Sequence, residues 1–309
     1  MFAPDGRYPW SLTHAQVPIA HDNGDGTLRV FFGTRDAMNR TRTSFIDVDI
    51  DDPRRIRYVH DRPVMELGAL GCFDDSGVMP SWMVERGGAL YLYYIGWNVG
   101  QTVPYRNAIG LAVSHDGGRS FERCFDGPIM DRTAREPHFV ACPTVLVEGD
   151  LWRMWYLGCT GWVMEKGKAE PLYHLRYAES DDGITWRRDG IIAIDYRDEE
   201  EGGLVRPSIV AETTGGAPLY RMWFSRRAAR GYREDPSKSY RLGYAESRDG
   251  ISWERMDGRA GLDVSPEGWD SAMLCYPYVY RHGGRLNLLY NGNGFGASGV
   301  GWAVWEDAP

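Results

Sequence analysis

Four carboxylates stand in polar, turn-marked stretches beside apolar runs: Asp36 in TRDAMNRTR, Asp75 in FDDSG, Glu136 in REPHF and Asp270 in GWDSA. Carboxyl groups set in different surroundings divide acid–base labour, one keeping its proton to donate it while another stays ionised to activate a nucleophile. His14, in SLTHAQVP, is a fifth group able to take a proton near neutrality. The neighbouring stretches add hydrogen-bonding fingers and flat walls: Arg35, Asn39, Arg40, Asp74, Trp97, His138, Trp162, Arg206 and Arg226. Carboxylates, guanidinium and amide groups and exposed indoles together suit a neutral, polyhydroxylated small ligand. Asp75 also fits a plain turn cap in DDSG, a common task for aspartate.

These residues need a frame, and the chain writes one repeatedly. YAESDDGITWRR (177–188) returns as YAESRDGISWER (244–255), and LAVSHDGGRSFER (111–123) is a third relative. Asp and Gly make a tight turn, and the aromatic after it, Phe121, Trp186 or Trp253, closes over it from the next strand. Upstream stand aromatic-rich strands: LYLYYIGW, LWRMWYLG and LYRMWFS, with LRVFFGT and LNLLYNG as further copies. Before each lies a glycine-containing hairpin, and before that a short strand with a proline. Pro18, Pro80, Pro143, Pro207 and Pro277 follow one another at intervals of 62, 63, 64 and 70 residues.

Three marks in one order, five times over, predict an all-β domain built from copies, with hardly any helical period in between. A four-stranded antiparallel unit of this size is a propeller blade. The expectation is a single five-bladed β-propeller over 1–309, with blades at 13–67, 72–130, 136–195, 203–264 and 269–306. The last unit is short of a strand, and the N-terminal segment 7–12, around Tyr8–Leu12, is expected to supply it and close the ring. In such a blade the lead-in to the innermost strand and the loop between the second and third strands reach one face, while the S-x-D-G turns reach the other. The candidate residues above all fall on the first face, and the turns read as structural.

Composition narrows the partners. Apolar residues make up 43% and charged residues 25%, an ordinary soluble balance. A formal charge of −8 argues against nucleic acid or an anionic membrane as partner. MFAPDGRYPWSL has neither a basic start nor a long apolar run, so no signal peptide or membrane span is expected. Cys72, Cys124, Cys142, Cys159 and Cys275 lack CxxC spacing and read as buried thiols of a reducing, cytoplasmic compartment. The twelve Trp and eighteen Tyr serve sheet packing first and sugar stacking second.

With its S-x-D-G-x-x-W turns and R-M-W-[YF] strands, the whole chain resembles the five-bladed propeller glycosidases. These are the arabinanase and β-xylosidase group (glycoside hydrolase family 43) and the related invertase, levansucrase and mannoside-phosphorylase families. The resemblance implies a carbohydrate-active enzyme that cleaves a glycosidic bond of a small or terminal glycoside or glycoconjugate. Its carboxylates would stand at the lead-ins of successive blades. Matched by blade, Asp75 would tune and position, with Asp74 as substitute, and Glu136 would be the general acid. The first blade departs from the pattern, offering His14 where a base aspartate is expected, so Asp36, Asp270 and His14 all remain open as the base. Phosphorolysis is an alternative, with Arg35, Arg40, Arg206, Arg226 and Arg227 to hold phosphate. So are another repurposed activity, such as a transferase, and a non-catalytic sugar-binding propeller. No cofactor is implied beyond a central ion such as calcium, held in some relatives by histidines like His14 and His138.

Overall fold

The computed structural model of the chain describes residues 1–306. Its strands fall into successive antiparallel units. The first holds β1 (Thr13–Asp22), β2 (Thr27–Arg35), β3 (Thr41–Asp49) and β4 (Ile56–Val59). The second holds β5 (Gly77–Arg86), β6 (Ala89–Val99), β7 (Tyr105–Ser114) and β8 (Glu122–Arg123). The third holds β9 (Val140–Glu148), β10 (Leu151–Glu165), β11 (Lys168–Ser180) and β12 (Ile192–Ile194). The fourth holds β13 (Glu201–Thr214), β14 (Ala217–Ala228), β15 (Arg241–Ser247) and β16 (Glu254–Arg255). The fifth holds β17 (Cys275–His282), β18 (Arg285–Asn291) and β19 (Val300–Val304). Helix is confined, among the described residues, to two 3-10 turns at Pro236–Lys238 and Asp257–Arg259.

The backbone that pairs onto β19 is Phe2, which exchanges two hydrogen bonds with Val300 at 3.2 and 2.8 Å. Segment 7–12 does something else: Tyr8 bridges Ser11 across a turn, and the Leu12 N–H donates to the Arg35 carbonyl in the first unit. The pairing strand thus lies further towards the N-terminus than the sequence suggested, because the YPWS turn bends the chain away before β1.

Apolar faces pack between units. Phe31, Phe45, Leu92 and Phe121 join the first to the second, and Trp82, Tyr93, Trp152 and Tyr156 join the second to the third. Val30, Val48, Leu289 and Val300 join the fifth back to the first. The S-x-D-G turns fasten the same seams. In each, a serine hydroxyl (Ser114, Ser180, Ser247) accepts from the Gly N–H, and an aspartate (Asp116, Asp182, Asp249) collects the amides that follow. A side chain from the preceding unit then donates to a turn carbonyl: Arg29 to Gly117, Tyr93 to Gly183, Trp155 to Gly250.

Every inner strand carries one extra residue at its proline, a β-bulge. Gln16 and Ile19 of β1, three apart, oppose Gly33 and Phe31 of β2, two apart; β5, β9, β13 and β17 repeat the slip. The residue before the proline, Val17, Cys142, Arg206 or Tyr276, is left-handed in four of the five, with φ between 49° and 59°. Such strain costs roughly 1–3 kcal/mol per residue and persists only where the surroundings impose it. Here it turns one side chain inward in each of those four units, and proline, having no N–H, suits an inner edge. Arg206, fully buried, shows where these side chains meet. Its guanidinium donates to the carbonyls of Pro18 and Pro207 and to the Thr144 hydroxyl, and lies 5.7 Å from the rings of Trp82 and Tyr278. One side chain therefore touches all five units.

Candidate functional site

Above Arg206 the inward-turned residues open into a cavity of about 320 Å³. Val17, Met79, Cys142 and Tyr276, each preceding a repeated proline, line its floor. Arg35, Asn39 and Thr41 enter from the β2–β3 hairpin, and Trp97, Tyr105 and Asn107 from the β6–β7 hairpin. Gly77 makes the indole possible: a Cβ there would meet Trp97 Nε1 at 1.7 Å.

The rest of the wall comes from two arms tied to each other. β10 and β11 continue as a hairpin past Cys159 and Tyr173, and its end grips segment 229–235. The Gly231 N–H donates to Glu165 and Arg230 to the Met164 carbonyl, while Lys166 pairs with Glu234 at 2.8 Å. This sets Tyr232 and Arg233 on the wall, both bonded to Glu170, with Arg233 reaching it at 2.7 and 3.0 Å. Burial would raise the Glu170 carboxyl, but the bonds from Arg233 and Tyr232 outweigh it and keep it ionised. Behind them Arg227, 2% exposed, stacks 3.8 Å over Tyr232 and donates to the hydroxyls of Tyr173 and Tyr240.

Four polar atoms on this wall are buried without a hydrogen-bond partner: Gln16 Oε1, Arg35 Nε, Thr41 Oγ1 and Trp97 Nε1. Each such atom costs about 1–3 kcal/mol unless something in the cavity satisfies it. Burial pushes the Cys142 thiol up to about 12, so the floor presents a thiol and no nucleophilic thiolate. Burial, then the nearby Arg35 charge, lowers His14 to about 4, leaving a neutral ring whose Nδ1 lies 2.9 Å from Thr13 Oγ1.

Of the residues the sequence singled out, Arg35, Asn39 and Trp97 line the cavity, and the five acid–base candidates do not. Glu136, 6% exposed, accepts from Tyr156 at 3.0 Å and pairs with Arg188 at 3.1 Å and Arg176 at 3.4 Å. Asp74 likewise accepts from Tyr94 at 3.0 Å and Arg123 at 2.8 Å, and Asp270 accepts from Tyr290 at 3.0 Å. In all three the tyrosine lies 20 residues after the acid. One acid–tyrosine latch thus recurs in three units, tying each lead-in to its aromatic strand. Asp75 accepts from the Gly71 amide and the Ser76 hydroxyl, the turn-cap role. Asp36 knots its own hairpin through the Met38 and Arg40 amides and the Arg40 and Arg42 side chains. Burial would raise its carboxyl, but those bonds hold it below the usual range.

The other candidates sit elsewhere. Trp162 packs on Phe139 and Tyr105 behind the wall. Arg226 pairs with Asp257 at 3.2 Å at a separate surface cleft, Arg40 belongs to the Asp36 knot, and His138 is half-buried outside the lining. Arg206 lies beneath the floor with its charge turned to carbonyls. No cluster of three or more His, Cys, Asp or Glu side chains is placed to hold a metal ion among the described residues. All five cysteines are free, and Cys142, Cys159 and Cys275 are buried as expected, whereas Cys72 and Cys124 are only half-buried.

Sequence reasoning passed over Thr41, Tyr232, Arg233 and Tyr276. For Tyr276 the available signal was its place before a repeated proline, since four of those five positions face the cavity.

Comparison with known proteins fits this frame. No family model matches the sequence. Two proteins of Mycobacterium tuberculosis, "Uncharacterized protein MT1551" (strain CDC 1551 / Oshkosh) and "Uncharacterized protein Rv1502" (strain ATCC 25618 / H37Rv), are each 36% identical over 99% of this chain and 97% of their own length. The chain belongs to their family.

Solved structures share its fold at lower identity. A thermostable family-43 glycoside hydrolase is 16% identical, covers 99% of this chain and 94% of its own, and superposes with a TM-score of 0.69. A glycosyl hydrolase from Bacteroides ovatus gives 14%, 99%, 90% and 0.70. A structure from work describing glycoside hydrolases within the GH130 family of mannoside phosphorylases, which target β-1,2 mannosidic linkages in Candida mannan, gives 15%, 96%, 85% and 0.66. The fold of this family is therefore the β-propeller of those enzymes.

Proposed function

We propose that the chain is a carbohydrate-active, five-bladed propeller, one domain closed through Phe2, whose axial cavity holds a small glycoside without a flanking pair of carboxylates. The observation that carries this is the wall itself: aromatic rings, three side-chain amides and four unpartnered polar atoms around about 320 Å³, with no Asp or Glu among the lining residues. A cavity of this size falls at the lower end of small-molecule sites. Flat rings stack on sugar faces while the unpartnered atoms bond hydroxyls. Two-carboxylate glycoside hydrolysis needs acids about 5–9.5 Å apart across the scissile bond. Glu136, Asp74 and Asp270 instead serve as latches, so their neutralisation is a matter of stability.

The fold of the hydrolase and phosphorylase neighbours supports a carbohydrate ligand. The wall chemistry supports a repurposed activity over hydrolysis by the Glu136–Asp75 pair. A second reading, a propeller that binds a sugar and does not turn it over, is favoured by the same lack of lining carboxylates. Titration calorimetry with neutral monosaccharides and their methyl glycosides, followed by product analysis, tests all of this. Saturable binding that Trp97→Ala abolishes supports the cavity. Turnover that survives Glu136→Gln and Asp75→Asn separates a repurposed enzyme from a binding protein. Turnover abolished by Glu136→Gln in a protein that still melts normally restores the paired-carboxylate hydrolase and sinks the proposal.

A further inference from the structure

We infer that the sugar taken by this cavity carries its own oxyanion, a phosphate or carboxylate group, and that Arg35 holds it. The inference rests on the sugar reading above and goes further, since the wall chemistry departs from the neutral ligand that the sequence suggested. Three guanidinium groups, Arg35, Arg227 and Arg233, stand on or directly behind the wall, and one carboxylate, Glu170, stands with them. Glu170 neutralises Arg233. Arg227 is spread over tyrosine rings, hydroxyls and the Pro171 carbonyl.

Arg35 has no ion-pair partner among the described residues, and its Nε is buried without a hydrogen bond. The surplus is local, because the chain as a whole carries −8. An uncompensated cation in a cleft with apolar walls concentrates field lines on whatever enters. A guanidinium also presents a planar fork that fits two oxygens of phosphate or carboxylate.

The neighbours of Arg35 point the same way. Gln16 and Thr41 are 4% and 1% exposed, and the unpartnered Oε1 and Oγ1 belong to them. Trp97 Nε1 adds a donor with no acceptor of its own. Gln16 Oε1 can only accept, which suits a sugar hydroxyl. Arg35 Nε and Trp97 Nε1 can only donate and Thr41 Oγ1 can do either, so three of the four unmatched atoms can serve an acceptor-rich ligand. The backbone of Arg35 is fixed on both sides: it pairs with Thr13 on one and Thr41 on the other, and its carbonyl accepts from Leu12, so the side chain starts from a set point on the wall. Arg35 is thus the specificity determinant for charge, while Gln16, Thr41 and Trp97 read the sugar hydroxyls.

An oxyanion at Arg35 has two sources, a group borne by the sugar or free phosphate bound beside a neutral sugar, and the proposal commits to the first. The test is calorimetric titration of the whole protein with D-glucose 6-phosphate, D-mannose 6-phosphate and D-glucuronate. D-Glucose, D-mannose and inorganic phosphate serve as comparisons, alone and combined. At least one charged probe is expected to bind about tenfold or more tightly than its neutral parent, the scale of a charge-assisted bidentate contact. Arg35→Met erases that margin, read as the ratio of charged to neutral affinity within each variant, so that any loss in neutral-sugar binding divides out. Arg35→Lys, which keeps charge and loses the fork, retains part of it and controls for folding.

Equal affinity for charged and neutral sugars overturns the inference and leaves the sugar reading intact. A charged-sugar margin that survives Arg35→Met overturns the role of Arg35. Neutral sugar tightened by free phosphate to the level of the sugar phosphate assigns the oxyanion to a separate co-ligand and overturns the commitment made here. Failure of every sugar, charged or neutral, to bind removes the sugar reading itself.

Discussion

Thr41 and Glu136 mark the two kinds of polar burial in this protein. Thr41 is 1% exposed and its hydroxyl is buried and unpartnered, a state that costs about 1–3 kcal/mol. Thr41→Val keeps the shape and removes the unmet bond. The variant is expected to melt a few degrees higher while losing about tenfold in sugar affinity, a trade read by paired melting and titration. A variant unchanged in both respects would show that the hydroxyl does not face a ligand. Glu136 is the reverse case, fully matched by Tyr156, Arg176 and Arg188. Breaking a buried pair costs roughly 3–5 kcal/mol, less here because both arginines keep some solvent. Glu136→Gln is therefore expected to lower the melting midpoint clearly and to leave sugar binding below the transition within twofold. The sequence showed Arg35, Asn39 and Trp97 because they are chemically loud residues at or beside the β2–β3 and β6–β7 turns. It could not separate Glu136 from a catalytic acid, since the tyrosine and arginines that bind it come from other strands and only folding brings them together.

At the scale of the element, the S-x-D-G turn carries its own pH dependence. Backbone bonds from Thr185 and Ser252 dominate at Asp182 and Asp249, holding each carboxyl down at about 2. At Asp116 burial opposes, but bonds from Ser120, Ser114 and Arg119 win and reach about 2 as well. A carboxyl lower in the folded chain than in the unfolded one, where 3.8 is usual, stabilises fully above that value. The contribution is lost as pH falls towards 2. Melting temperature should therefore drop between about pH 4 and pH 2, and Asp182→Asn should flatten that slope relative to the wild type. A variant with the same slope as the parent would remove the turn from the account. These turns were legible because turn chemistry is local: serine, aspartate and glycine meet their partners within a few residues. The N-terminal pairing was not, because one strand partner for Val300 looks like any short apolar segment, and Phe2 offered no pattern.

At the scale of the molecule, repetition explains both what the sequence disclosed and what it hid. Prolines, aromatic strands and turns recur because every unit needs them, so the architecture stood out. The site is built where the copies differ: the residue before the proline is Val17, Met79, Cys142, Arg206 or Tyr276, one place with five chemistries. Arg206 is the member that binds the assembly, through contacts to all five units. Arg206→Ala removes bonds to three strands and leaves a void, and is expected to cost more than about 3 kcal/mol and to broaden the thermal transition. Arg206→Met, which refills the volume without the bonds, should melt between the two. Wild-type melting in Arg206→Ala would contradict this axial role. The most direct test of the central claim is a crystal structure of the protein soaked with D-glucose 6-phosphate and D-mannose, read for what touches the bound sugar. The account predicts sugar oxygens at about 3 Å from Gln16, Thr41 and Trp97 and the oxyanion on Arg35, with Glu136 still latched to Tyr156. A sugar held between Glu136 and Asp75 instead, with the axial cavity unoccupied, would contradict it.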